Sequence, residues 1–139
     1  MRIDLVGDPS GSLARALARA GYAVHVAAGL PEEMEDLRQE HPSLIIVVDR
    51  RAPAVCRALR QVVCAPILAL LPGANEADVI EALAAGADDC QSATIGSSEL
   101  ILRVRAVLGR ARCLQVEGAM GQGSYEPDNP GCRRRQEDH

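Results

Sequence analysis

The chain has 139 residues, a formal net charge of −4, 47% hydrophobic and 24% charged residues, and aromatic content of only 1%. That length suits one domain with a real core, which must be aliphatic. The charge gives no basic footprint for duplex DNA, and two tyrosines with no Phe or Trp leave no stacking platform for single strands. All fifteen basic residues are arginine, so chemistry that needs a lysine ammonium is excluded.

The five cysteines form no CxxC pair, and His25, His41 and His139 share no ligand spacing with them. They read as free thiols in a reducing compartment, with Cys56, Cys64 and Cys90 acting as small hydrophobes. A His/Cys metal site is not supported. No secretory signal or long apolar span is visible, so a cytoplasmic location is expected, with no membrane partner.

In chain order, Arg2 to Val6 predicts a strand ending at Gly7-Asp8-Pro9. Ser10 or Ser12 can cap a helix with Leu13, Ala16, Leu17 and Ala20 at helical spacing, stopped by Gly21. Tyr22 to Val26 predicts a second strand. Leu30-Pro31-Glu32-Glu33 opens a second helix, acidic in its first turn, that runs to about Glu40. His41-Pro42 breaks it. Leu44 to Val48 is a run of five aliphatic residues, read as a strand buried on both faces and ending at Asp49. Pro53 to Val62 predicts a third helix, Ile67 to Leu71 a fourth strand and Asn75 to Ala85 a fourth helix. Ala87 to Cys90 fits a fifth strand. Ser97 or Ser98 caps the last helix, whose apolar side is Leu100, Ile101, Val104, Val107 and Leu108.

Alternating strands and helices predict an α/β fold with a parallel sheet covered on both faces. The domain is expected over residues 1–112. Residues 113–139 read as a disordered tail, with Gly118 to His139 rich in Gly, Pro, Asn and charge. The run Arg133-Arg134-Arg135 is followed by Glu137 and Asp138 and reads as a solvated face, not a nucleic-acid arm. The segment Gly7-Asp8-Pro9-Ser10-Gly11 is too short and acidic for a phosphate loop, which argues against a flavodoxin-like cofactor binder.

From about residue 2 to residue 110 the chain resembles a response-regulator receiver domain, in particular those of winged-helix transcriptional regulators. The residues that carry the resemblance are Ala20-Gly21-Tyr22-Ala23-Val24, the strand ending at Asp49 with Pro53 behind it, Pro66-Ile67-Leu68, the segment Glu81 to Cys90 (EALAAGADDC), and the final helix Glu99 to Arg110. The resemblance implies a three-layer, doubly wound (βα)5 sandwich with strand order 2-1-3-4-5. It also implies an acidic pair and an acceptor Asp holding magnesium, a hydroxyl after strand four and a lysine after strand five.

Here the acidic pair aligns on Gly7 and Asp8, the hydroxyl on Leu71, and the lysine and the residue behind it on Ala93 and Thr94. Asp49 matches the acceptor by its distance to Pro53, whereas counting from Pro42 puts the acceptor slot on Val48. Asp8 reads equally as a helix cap. The expected function is therefore an atypical receiver in bacterial signalling or transcription regulation, not an enzyme. It would act by protein contacts, dimerisation or small-effector binding, without a cofactor.

The alternative is a conventional receiver phosphorylated on Asp49, with magnesium held by Asp8 and Asp49. The resemblance further implies a sensor kinase or small-molecule effector as partner. It places a weak homodimer on the face of helix four, strand five and helix five, carried by Asp88, Asp89, Glu99 and Arg103, with Asp89–Arg103 the favoured pair. No nucleic acid is expected to be bound by this chain itself.

Overall fold

A computed structural model describes residues 1–7, 11–27, 34–73 and 75–120, with the backbone alone for 35, 36 and 112–120. Five strands and five helices alternate: β1 Arg2–Val6, α1 Ser12–Arg19, β2 Ala23–Ala27, α2 Met34–Glu40, β3 Leu44–Val48, α3 Ala52–Arg60, β4 Ile67–Leu71, α4 Glu76–Ala84, β5 Asp89–Ser92 and α5 Ser97–Met120. The strands form one parallel sheet in the order β2-β1-β3-β4-β5. This is the doubly wound α/β sandwich expected from the sequence.

The aliphatic strands are buried on both faces because their side chains alternate between two helical layers. Ile3, Leu5, Leu44, Ile46, Leu68 and Leu70 pack with Leu17 of α1 and with Leu100, Val104 and Val107 of α5. Val6, Ile45, Val47, Ile67, Ala69 and Leu71 pack with Leu37 of α2, Cys56 and Leu59 of α3 and Ala82 of α4. Branched aliphatics, not aromatic rings, fill the fully buried positions of both layers.

Several boundaries move. β2 begins at Ala23 and β5 at Asp89, each later than expected. Gly11 holds the N-cap position of α1, with Ser12 its first residue. Asn75 caps α4, accepting the Asp78 N–H at 2.9 Å. α5 continues past Arg112 to Met120, so the first residues assigned to the tail are helical. The sequence assignments at Asp8, at the opening of α2 and over residues 121–139 lie outside the described residues.

One expectation is overturned outright: Cys64 is disulfide-bonded, not a free thiol. Its place in the α3–β4 loop, only partly buried, leaves it accessible to a partner cysteine. Cys56 and Cys90 are free and buried. Burial pushes the Cys56 thiol up to about 11, so it stays protonated and behaves as a small hydrophobe.

Asp4, in the middle of β1, is the buried charged side chain of the described core. Arg2 Nε donates to its Oδ1 at 2.7 Å, and Arg2 Nη1 donates to Glu40 Oε1 at 2.9 Å. The guanidinium thus joins the start of β1 to the end of α2. A buried carboxylate that loses its cation is costly, whereas replacing both charges by apolar groups is often near neutral. Arg2→Met is therefore expected to lower stability by about 3 kcal/mol, and Arg2→Met/Asp4→Leu to recover most of it. Urea unfolding of the two variants checks this.

Candidate functional site

In an open parallel sheet, chemistry sits beyond the carboxyl ends of the strands. Here that edge is formed by Gly7 after β1, Asp49 after β3, Leu71 at the end of β4 and Ala93 after β5.

β1 and β3 pair through Val6 and Val47, which sets Gly7 beside Val48. Gly7 has φ +109°, and a Cβ built there would collide with the Val48 carbonyl oxygen and stand 3.1 Å from Val48 Cβ. The strand ends approach so closely that a side chain at position 7 requires backbone movement. Gly7 is thus a packing residue at the slot where the resemblance expects an acid. Asp8 lies outside the described residues.

Asp49 turns toward its own loop. Arg51 N–H donates to Asp49 Oδ1 at 2.8 Å, and Ala52 N–H donates to the Asp49 carbonyl at 3.0 Å. This is an Asx turn leading into α3. α3 has no acid in its first turn, and its N-cap, Arg51, makes no side-chain cap. The Asp49 carboxylate therefore supplies the negative charge that the positive end of the helix favours. Val48 packs with the α1/α5 layer, and Asp49 follows as the turn residue that starts α3.

The other supporting positions are apolar. Leu71 is 2% exposed and packs in the α2/α3/α4 layer. Ala93 packs against the α1/α5 layer, and its N–H donates to the Leu71 carbonyl at 2.6 Å. Ser92 and Thr94 share a hydroxyl–hydroxyl hydrogen bond of 2.8 Å on either side of it. Among the described residues no three His, Cys, Asp or Glu side chains converge to hold a metal ion. Magnesium needs several hard oxygen ligands at short range. The described residues at this edge do not fit that ion.

The charges assigned to a dimer face are largely engaged within the chain. Asp88 Oδ2 accepts from Arg60 Nη2 at 2.7 Å and from Ile67 N–H at 2.8 Å. Arg60 also donates to the Gly86 and Ala65 carbonyls at 3.0 and 2.6 Å. Arg60 and Asp88 thus join the end of α3, the start of β4 and the α4–β5 loop. Asp89 Oδ1 accepts from Cys90 N–H at 2.8 Å. Within the chain Arg103 meets Glu99 one turn away at 3.8 Å. α4 and α5 also expose large apolar side chains: Ile80 and Leu83 of α4 and Leu102 of α5.

The roles of Asp4, Arg60 and Gly7 were missed from sequence. The isolated acid in Arg2-Ile3-Asp4-Leu5-Val6 was a visible signal for the first. Arg60 had none, because its partners are brought to it by tertiary structure.

No protein-family model matches the chain. It is 32% identical over 109 residues to the transcriptional regulatory protein GltR of Pseudomonas aeruginosa, covering 73% of this chain and 45% of that relative. It is 35% identical over 113 residues to the transcriptional regulatory protein AfsQ1 of Streptomyces coelicolor, covering 78% of this chain and 50% of the relative. The chain spans about half the length of the curated relatives it matches. Among solved structures, the BeF3-activated N-terminal receiver domain of Klebsiella pneumoniae RstA superposes with a TM-score of 0.70 at 25% identity, covering 78% of this chain and 98% of that one.

Gly7→Ala and Gly21→Ala separate strain from collision. Gly21 has φ +100° with nothing within 4 Å of a built Cβ, so Ala there meets only the backbone penalty. Gly21→Ala is expected to lose about 1 kcal/mol and Gly7→Ala at least about 2 kcal/mol more. Urea midpoints measure the difference.

Proposed function

The chain is a response-regulator receiver domain, and we propose that it serves two-component transcriptional signalling in the cytoplasm without accepting a phosphoryl group. On this reading it is not an enzyme and needs no cofactor. The observation that carries the reading is the crowding at Gly7, where a Cβ would collide with the Val48 carbonyl. The Val48 backbone thus stands where a cation-binding side chain at position 7 would begin. Leu71 and Ala93 remove the hydroxyl and the ammonium that would otherwise orient and neutralise a phosphoryl group on Asp49. Asp49 keeps a structural task at the entry of α3.

Signalling then depends on contacts. The α4–β5–α5 face is the surface for a partner or second receiver, with Ile80 and Leu83 supplying apolar area. The Glu99–Arg103 pair beside it is exposed, and pairs of that kind contribute about 0–1 kcal/mol. Association through this face is weak and is tuned by whatever sensor protein or small effector the domain meets.

The test is exposure to magnesium with acetyl phosphate, and separately with beryllofluoride, followed by intact-mass and sedimentation measurements. A conventional receiver is treated in parallel. The expected result is no phosphoryl mass increment and no change in sedimentation for this chain. A phosphoryl adduct on the wild type that disappears in Asp49→Ala would overturn the reading.

A further inference from the structure

The sheet has a second surface that this function does not use: the edge at β2, opposite the β5 edge, to which no described strand pairs. The direction of its backbone groups follows from two hydrogen bonds. Ala23 N–H donates to the Met1 carbonyl at 3.0 Å, and Ser43 N–H donates to the Arg2 carbonyl at 2.8 Å. Backbone groups of successive strand residues point to opposite sides. Met1, Ile3 and Leu5 therefore face β2, and Arg2, Asp4 and Val6 face β3. On β2, Ala23, His25 and Ala27 bond inward to β1. Val24 and Val26 turn their N–H and C=O groups to the outer edge, where no described strand pairs with them.

Exposed edges are usually protected by charge, proline or bulges. This one carries none of them. Its sequence is Ala-Val-His-Val-Ala, its residues pair regularly with β1, and the Val26 side chain is 46% exposed. The same five residues read identically in both directions about His25. In an antiparallel pairing of two such strands around a two-fold axis through His25, Val24 of one copy lies opposite Val26 of the other. These are the residues whose backbone groups point outward. Each Val24–Val26 pair can exchange both N–H···O bonds, while His25 faces its own copy in a non-hydrogen-bonded pair.

We propose that β2 pairs antiparallel with β2 of a second copy of this chain, joining two five-stranded sheets into one continuous sheet. The occupant is a second copy because the edge is self-complementary in both register and side chains. That is the requirement of an isologous contact, and it closes without forming filaments. A foreign peptide would place no such symmetry on the strand. Valine against valine across the pair adds β-branched packing. One short strand edge buries less than the ~1,200 Å² of a stable interface. The dimer is therefore concentration-dependent, and it leaves the α4–β5–α5 face free.

Sedimentation equilibrium of the wild type up to about 1 mM, a range suited to weak pairs, is compared with Val26→Pro. Proline is tolerated on an edge where its missing N–H points outward. The expected result is self-association in the wild type and its loss in Val26→Pro with an unchanged circular dichroism spectrum. Oxidation of His25→Cys with copper phenanthroline is expected to join the two copies through a disulfide at position 25, seen as a self-linked peptide by mass spectrometry. Ala23→Cys lies opposite Ala27 and is expected to give no self-linked peptide. Should Val26→Pro fail to fold, the linked-peptide result decides. A wild type monomeric throughout, self-association that survives Val26→Pro but is abolished by Ile80→Asp/Leu83→Asp, or the absence of a link between the two copies of position 25 would each overturn the proposal.

Discussion

The approach of Gly7 to the Val48 carbonyl is the constraint on which the rest of the carboxyl edge depends. Parallel pairing of β1 with β3 fixes their separation, and the register sets Gly7 against the last residue of β3. At Gly7, with φ +109°, a Cβ would collide with the Val48 carbonyl, so the position admits no side chain as the backbone stands. The chain leaving β3 then turns at once into α3, and Asp49 stabilises that turn through the Arg51 N–H. A carboxylate used in this way faces its own helix entry. A side chain at position 7 requires the backbone to move first.

A similar redirection governs the charges on the opposite side of the sheet. Asp88 receives a guanidinium and a backbone N–H from within its own domain. It holds β4, the α4–β5 loop and α3 together, and so contributes to the fold more directly than to any contact with another molecule. Removal of such a group leaves Arg60 without its anion and the Ile67 N–H without an acceptor, and unsatisfied groups are the expensive ones. Apolar and strand-edge groups are also available for recognition: Ile80 and Leu83 on one edge, the outward backbone of Val24 and Val26 on the other. Surfaces of this kind can bias associations through differential contacts alone.

The sheet was legible because its period was. Leu44 to Val48 and Ile67 to Leu71 are uninterrupted aliphatic runs between helical patterns, and both are buried as such patterns require. Boundaries were less so. Asp89 to Ser92 lacks an apolar run, and its extent is set by pairing with β4 rather than by propensity. The loss of a hydroxyl at Leu71 and of an ammonium at Ala93 could be read directly from residue type. The meaning of Gly7 could not, because it depends on a distance to Val48 that only tertiary structure supplies. The Asp88–Arg60 pairing was not legible for the same reason, and the disulfide at Cys64 has no spacing signal.

We propose that the crowded strand ends at Gly7 and Val48 leave no place for a divalent cation among the described residues. Manganese, a paramagnetic stand-in for magnesium, reports this directly through broadening of backbone amide signals in an NMR titration. The expected result is no saturable, site-selective broadening at Gly7, Val48, Asp49 and Ser92 up to about 1 mM ion, a range that covers weak oxygen-ligand sites. Selective broadening of those amides that saturates and is reversed by excess magnesium would contradict it.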